Sequence, residues 1–133
     1  MKLTTRSEYS LLALLHLARR QGDGYVKIEE ICERYKIPKK YLELLFMSLR
    51  RNRLIRTRRG TQGGYQLAQP ADQITIASVI RLMDGALAPT ESVSKYFFAD
   101  TPVQQEEKLL TVFQEIRNYI ADRLEKLTLA DLT

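Results

Sequence analysis

A chain of 133 residues, 44% of them hydrophobic, has the usual length of one domain. It contains no run of about 18 apolar residues and no signal-peptide pattern, which predicts a cytoplasmic protein without a membrane span. Its single cysteine, Cys32, excludes an internal disulfide framework and a multi-cysteine zinc site. The net charge is +5, and residues 27–59 alone hold eleven Lys or Arg against four Glu, a local charge of +7 that favours a polyanion-binding face.

The first predicted element is a helix over residues 5–20. Thr5 and Glu8 match the T-x-x-E capping box, and an apolar-rich stretch follows until residues 21–24 end it. The leucines cover more than one stripe, which indicates burial on most sides and suggests a second subunit. His16 lies among them, and we expect it to pack in the core or at a subunit interface rather than to bind a metal.

Two short helices joined by a tight turn are predicted next, after a short strand at residues 25–26. The apolar face of the first runs from Ile28 to Tyr35 and includes Cys32, which we expect to be a small buried hydrophobe, with a redox or ligand role as the alternative. Pro38 suits the start of the second helix. That helix buries a stripe of five side chains: Tyr41, Leu42, Leu45, Phe46 and Leu49. The two helices and the turn between them form a helix-turn-helix candidate.

A basic hairpin follows, because residues 54–59 and 65–68 have the composition of strands and flank a glycine-rich loop. The order helix, turn, helix and hairpin is that of a winged helix. A further helix over residues 74–83 ends near Gly85. We therefore assign residues 1–85 to a winged helix-turn-helix domain and residues 86–103 to a linker that could form an effector region. In this linker Tyr96, Phe97 and Phe98 are expected to pack in the core or an interface, with a lid over an effector pocket as the alternative.

A long last helix is predicted over residues 104–127, followed by one capped turn that completes a unit of residues 104–133. It carries an apolar stripe at helical spacing: Leu109, Phe113, Ile116, Ile120, Leu124 and Leu127. The winged helix offers little spare surface to cover this stripe, so we expect the chain to form a homodimer in which two copies of the last helix cover each other. The predicted fold is mainly α with a small β-hairpin, a winged helix-turn-helix with a C-terminal dimerisation helix.

Duplex DNA is the polyanion that this architecture suits. The second helix of the pair enters the major groove, and its first turn reaches base edges. Glu43 fits an acceptor for a cytosine amino group, or alternatively balances nearby lysines on a solvated face. Arg59 can enter a narrow minor groove, and Arg56 and Arg58 can hold phosphates. The predicted DNA-binding residues are Lys39, Lys40, Tyr41, Glu43, Arg50, Arg51, Arg56, Arg58, Arg59, Gly60, Gly63 and Gly64.

The glycine-rich loop itself has two interpretations. Gly60, Gly63 and Gly64 allow positive φ and close approach of the backbone to a phosphate of DNA. A nucleotide-binding loop would instead require a terminal Lys-Ser or Lys-Thr and a following helix, and here a strand at Tyr65 follows. The loop therefore favours a DNA-probing hairpin tip.

These segments resemble one known family. YLELLFMSLRRNRLIRTRRGTQGGYQLA, with the opening MKLTTRSEYSLLALLHLA and the ending TLADL, is similar to the Rrf-type winged-helix regulators, over nearly the whole chain except residues 86–108. The resemblance implies a dimeric bacterial transcription factor whose long helix crosses to its partner. It also implies DNA contacts at Tyr41, Glu43 and Arg59, with wing glycines nearby.

One departure from that family concerns iron. Its cluster-binding members carry three cysteines and a further ligand in the loop before the long helix, whereas here the loop reads GALAPTESVSKYFFADTPVQQEE. A two-iron cluster needs four ligands, usually thiolates, so we expect no cofactor and no metal. In this the chain is closer to cluster-free members, one of which depends on a partner enzyme. A regulatory protein or a small-molecule effector would then supply the signal.

The leading hypothesis is a sequence-specific transcriptional regulator, a repressor acting as a homodimer on a near-palindromic operator. The alternative is a winged-helix module that binds a regulatory protein and not DNA, against which the +7 segment argues. An enzyme is not expected, because one histidine and no Ser/His/Asp or Cys/His constellation leave little for catalysis.

Overall fold

The structure, a computed structural model, describes residues 1–133. Its helices and strands are α1 Thr5–Arg19, α2 Ile28–Tyr35, α3 Lys39–Arg51, β1 Ile55–Arg58, β2 Gly64–Leu67, α4 Ile76–Asp84 and α5 Glu107–Glu125. Short 3-10 turns lie at Ala71–Gln73, Glu91–Val93, Pro102–Gln105 and Ala130–Leu132. The predicted fold class is confirmed. No helix combines the length and the hydropathy that crossing a bilayer requires.

The start of α1 differs by one residue from the predicted capping box. Thr4, not Thr5, is the N-cap, and its hydroxyl accepts a hydrogen bond from the Arg6 N–H at 3.2 Å. The reason is tertiary: the Asp84 carboxylate at the end of α4 accepts a hydrogen bond from the Thr4 N–H at 2.8 Å. That contact holds Thr4 in the extended conformation that an N-cap requires.

Both helices of the helix-turn-helix form as predicted. α2 ends where Lys36 adopts a left-handed conformation at φ 57°, and its N–H bonds to the Cys32 carbonyl. The next residue, Ile37, is buried, and α3 begins directly after Pro38. Four residues of the predicted stripe are buried, while Tyr41 is only half-buried. The turn between the helices is thus fixed by one buried isoleucine and one proline.

The hairpin has a third short partner. β1 and β2 pair antiparallel, with Ile55 opposite Leu67. Val26 bridges Tyr65 on the far side of β2, through two backbone hydrogen bonds of 2.7 and 2.8 Å. The predicted strand at residues 25–26 is therefore present as a single bridge, and it fastens the hairpin to the start of α2.

α4 begins two residues later than predicted, because Ile74 and Thr75 pair with the C-terminal segment. The Leu129 N–H bonds to the Ile74 carbonyl at 3.0 Å, and Thr75 bridges Thr128. The Thr75 hydroxyl then caps α4 by accepting from the Ser78 N–H. Because Leu129 is fully buried, the C-terminal turn packs into the core formed by the winged-helix part.

α5 is shorter than predicted, since Pro102–Gln105 forms a separate 3-10 turn before it. Its last turns pack on the core through Ile120, Leu124 and, just past its end, Leu127. An ion pair between Arg81 of α4 and Glu125 at 2.5 Å joins the two helices. The Arg81 hydrogen bond holds the pKa of the Glu125 carboxyl below its usual value.

Candidate nucleic-acid interface

The outer face of α3 is fixed by the stripe that it buries. Leu42, Leu45, Phe46 and Leu49 lie in the core, so the opposite side of the helix faces solvent. The side chains on that outer side are all exposed: Lys40, Glu43, Leu44, Met47, Arg50 and Arg51. Since a major groove about 12 Å wide admits an α-helix, this face has the shape and charge to enter one.

Tyr41 occupies the junction of α1 and α3. Its hydroxyl lies 3.2 Å from the Thr5 hydroxyl, and its ring packs edge-on against Tyr9 with centroids 5.6 Å apart. These contacts explain why the predicted burial of Tyr41 is incomplete: the side chain packs at the edge of the core and extends to α1. They hold the ring in one position at the rim of the α3 face.

Two charged side chains near the start of α3, Lys39 and Glu43, have different surroundings. Lys39 lies 3.7 Å from a carboxylate oxygen of Glu29, in an exposed and therefore weak ion pair. Glu43 takes part in no ion pair of the chain. The acidic residue that balances a lysine here is thus Glu29, and the Glu43 carboxylate remains available as an acceptor.

The wing, residues 55–67, presents three arginines in three environments. The Arg56 Nε donates to the Gln66 side chain at 2.7 Å, directly across the hairpin. The Arg58 guanidinium lies 6.0 Å from the ring centre of Tyr25. Arg59 is exposed and makes neither an ion pair nor a contact with an aromatic ring. Of the three, Arg59 has the greatest freedom to reach a ligand.

The wing glycines confirm the predicted positive φ at Gly60 and Gly64 but not at Gly63. Gly60 has φ 98° and open space around it, as a turn tip requires. Gly63 is buried and does not have the expected positive φ; a Cβ there would lie 2.0 Å from the Arg58 carbonyl oxygen. At Gly64, with φ 145°, a Cβ would lie 2.4 Å from the Val26 carbonyl oxygen. Close approach of protein backbone therefore accounts for the last two.

Sequence reasoning missed two residues that position or extend the basic surface. The Lys27 ammonium donates to the Gly60 carbonyl at 3.1 Å, which ties the start of α2 to the wing tip. Arg53 has φ 62° and lines a cleft with Arg50 and Arg56 between the end of α3 and the wing. No local pattern distinguishes these two from other basic residues, because both roles depend on the tertiary structure.

The wing and α3 are also held together by an aromatic contact. The rings of Phe46 and Tyr65 have centroids 4.6 Å apart. Phe46 is in the core of α3 and Tyr65 is the β2 residue bridged to Val26. This aromatic pair, together with the buried Ile55 and Leu67, sets the orientation of the wing relative to α3.

Comparison with known proteins gives this arrangement a family. The family model named Rrf2, described as an iron-dependent transcriptional regulator, matches residues 3–133. The chain belongs to the Rrf2 family. It is 35% identical to the helix-turn-helix regulator IscR of Erwinia tasmaniensis, covering 99% of this chain and 78% of that protein. It is 30% identical to the regulator CymR of Bacillus subtilis, covering 99% and 89%.

Solved structures agree with this membership. The structure of CymR, described as the global cysteine regulator of B. subtilis, superposes with a TM-score of 0.81 at 29% identity, covering 99% of this chain and 95% of that one. This Rrf2 protein is therefore a helix-turn-helix transcriptional regulator of the winged-helix type. The named relatives are regulators of transcription and not enzymes.

The ligands that an iron–sulfur cluster needs can be compared with the cysteine and histidine residues that this chain has. The loop between α4 and α5 contains neither cysteine nor histidine. Cys32 lies on α2 of the helix-turn-helix, where burial raises the pKa of its half-buried thiol. No group of three His, Cys, Asp or Glu side chains is arranged to hold a metal ion. These residues do not fit a cysteine-ligated iron–sulfur cluster.

The predicted dimerisation stripe divides into two parts. Ile120, Leu124 and Leu127 pack on the protein's own core, contrary to the expectation that the winged helix would leave them uncovered. Leu109 and Ile116 are 45% and 42% exposed, and Phe113 is half-buried without joining the core. Val112 and Tyr119, which the sequence pattern missed, are exposed beside them. The exposed stripe of α5, defined here as Leu109, Val112, Ile116 and Tyr119, is what remains for a second subunit.

The aromatic residues of the loop are exposed as well. Tyr96, Phe97 and Phe98 all reach the surface, so the expected core packing is not observed within one chain. The Arg81 guanidinium lies 4.7 Å from the ring centre of Tyr96. This contact joins the loop to the ion pair between α4 and α5.

Proposed function

We propose that this Rrf2 protein acts in the bacterial cytoplasm as a homodimer that binds a near-palindromic duplex site and represses transcription from it. α3 would lie in the major groove, with Glu43 accepting a hydrogen bond from a base. Arg59 would enter the adjacent minor groove, and the remaining predicted arginines and lysines would contact phosphates. A two-fold dimer would present two α3 helices about 34–36 Å apart, or a multiple of this, on one side of the duplex.

The observation that supports this proposal is the joint exposure of the α3 outer face and of an unengaged Arg59. If the fold buried the outer face of α3 or Arg59, the +7 charge of residues 27–59 could not contact DNA phosphates there. The contacts of Lys27 with Gly60 and of Phe46 with Tyr65 hold wing and helix in a fixed relation. Such pre-organisation lowers the ordering cost of binding.

The test is a salt titration of binding to duplex DNA. Counterion release predicts that log K falls linearly with log salt, with a slope of about −0.9 per phosphate neutralised. We expect a slope corresponding to several phosphates per subunit, and tighter binding to a selected palindromic site than to its scrambled version. Failure to bind any duplex at low salt would favour the protein-interaction alternative. A reporter gene whose promoter overlaps the selected site would then test repression.

We also propose that the regulatory signal does not enter through a resident iron–sulfur cluster. A partner protein or a small effector acting at residues 86–103 would supply it instead. Protein purified without oxygen should show no visible absorption, because cysteine-ligated clusters absorb there and the donors for one are missing from the loop. A brown preparation containing iron and sulfide would overturn this part of the proposal and leave DNA binding standing.

A further inference from the structure

Two large apolar side chains lie at the centre of the outer face of α3. Leu44 is 64% exposed and Met47 is 57% exposed. Lys40, Leu44, Met47 and Arg51 are spaced by four, three and four residues, so they form one stripe along the helix. This stripe is opposite the one that the helix buries.

The one other feature that either side chain contributes to is a surface cleft that Met47 lines with Arg50 and Tyr65. Leu44 and Met47 contribute nothing to the core, and the other large exposed apolar side chains lie elsewhere, on α5, in the aromatic loop and near the chain ends. Single exposed apolar residues are ordinary on protein surfaces. Two adjacent ones between Lys40 and Arg51, on the face with the most positive charge, indicate a ligand that is both anionic and locally apolar.

Duplex DNA is such a ligand, since the C5-methyl group of thymine is the apolar feature of the major groove. We propose that Leu44 and Met47 contact thymine methyl groups and select thymine at two positions of each half-site. Lys40 and Arg51, at the two ends of the stripe, would hold the phosphates on either side. The unbranched Met47 side chain can adjust its path to a methyl group, whereas Leu44 offers a fixed branched surface. This inference rests on the duplex binding proposed above.

Deoxyuridine isolates the methyl group, because it differs from thymidine in that group alone and keeps the same hydrogen-bonding pattern and charge. The probe is a duplex selected by the purified protein from a random-sequence library and resynthesised with one thymidine at a time replaced by deoxyuridine. We expect two positions per half-site where the replacement weakens binding about three- to fivefold, the size expected for one buried methyl group. Other thymidines should be insensitive.

Variants then assign each methyl to a side chain. Leu44→Ala should abolish the deoxyuridine effect at one position and Met47→Ala at the other, while Leu44→Met should retain it. Arg51→Ala is the control on the same stripe, and it should weaken binding to thymidine and deoxyuridine duplexes equally. All three positions are exposed, so the variants should melt at the temperature of the parent chain.

The scan of the parent protein decides the question without any variant. Equal binding to every deoxyuridine duplex, with steep salt dependence retained, would overturn methyl reading and leave the proposed function intact. It would point instead to a protein partner for this patch. Absence of binding to any duplex at low salt would overturn both. Deoxyuridine sensitivity that persists in Leu44→Ala and Met47→Ala would also overturn the assignment.

Discussion

At the scale of single residues, the wing arginines differ in how firmly the protein holds them. Arg56 is tied to Gln66, whereas Arg59 stands free at the tip. A free guanidinium beside a turn can enter a minor groove, and the negative potential there is strongest where A·T-rich sequence narrows the groove. The freedom of Arg59 therefore bears on sequence preference as well as on affinity.

We expect Arg59→Ala to cost about 1–3 kcal/mol on sites with A·T-rich flanks and much less on sites with G·C-rich flanks. Lys39→Ala is the control. Lys39 is exposed on α3, and its substitution should weaken binding to both kinds of site evenly. Gel-shift titrations on matched duplexes measure the difference. Equal losses on both flanks for Arg59→Ala would contradict minor-groove reading.

The wing glycines give a prediction about folding. Gly60→Ala meets only the strain of its positive φ, which costs about 1–2 kcal/mol. Gly63→Ala would place a methyl group 2.0 Å from the Arg58 carbonyl oxygen, so backbone must move. We expect Gly63→Ala to lower the thermal midpoint clearly more than Gly60→Ala does. Thermal unfolding followed by circular dichroism measures this, and an equal or smaller loss for Gly63→Ala would refute it.

At the scale of elements, α1 and α2 are joined by a small charged cluster. The His16 Nε2 lies 2.5 Å from a carboxylate oxygen of Glu30, and the Arg20 guanidinium lies 2.5 Å from the same atom. The hydrogen bond from His16, and then Arg20, hold the pKa of the Glu30 carboxyl below its usual value of 4.5. His16 is thus packed against a carboxylate and Tyr35 rather than among leucines alone.

A lowered folded-state pKa makes stability depend on pH in one direction. The contribution of Glu30 is fully present above its usual pKa of 4.5 and is lost as pH falls through the lowered value. We expect Glu30→Gln to cost about 0.5–1 kcal/mol at neutral pH, a modest value because the side chain is 43% exposed. The difference from the parent chain should vanish in acid. Urea unfolding across pH measures this.

Glu29→Gln is the matched control for that measurement, since it removes the same charge one residue away. Glu29 faces only the distant ammonium of Lys39 at 3.7 Å, and both side chains are exposed. Its substitution should change stability little at any pH. A gap between parent and Glu30→Gln that widens in acid would show that the cluster opposes folding rather than supports it.

How far sequence predicts these elements depends on how local their causes are. The apolar spacing within α2 and α3 and the glycines between β1 and β2 are local signals, and those elements form where expected. The N-cap of α1 is Thr4 instead of Thr5 because Asp84 holds Thr4, and α4 begins later than predicted because Leu129 pairs with Ile74. Contacts between distant parts of the chain carry no sequence period, so such boundaries are found only in the structure.

The candidate site shows the same division. Its basic residues were predicted from charge density, because charge is visible in a sequence. The link from Lys27 to Gly60, the close backbone packing at Gly63 and the exposure of Leu44 and Met47 are tertiary facts. In particular, the spacing of the predicted stripe leaves these two residues on the other side of α3, and the structure shows that nothing in the chain covers them there.

At the scale of the whole molecule, the basic face and the exposed stripe of α5 lie on different elements. The basic face comprises α3 and the wing, whereas the exposed stripe of α5 lies on the element farthest along the chain. The last turns of α5 and the C-terminal turn pack on the core and anchor that helix to the winged helix. A second subunit bound through the exposed stripe of α5 would therefore be held at a fixed distance and angle from the outer face of α3 and from the wing.

The dimer is testable at the centre of that stripe. Leu109, Val112, Ile116 and Tyr119 are spaced by three, four and three residues and share one helix face. Ile116→Glu would bury a charge in a subunit interface, so we expect monomers by sedimentation velocity and at least a tenfold loss of affinity for a two-half-site duplex. Asn118→Glu, on another side of the same helix, should remain dimeric. Because Ile116 is 42% exposed in the single chain, its substitution should leave the helical content unchanged. A stable Ile116→Glu dimer would place the interface elsewhere on the molecule.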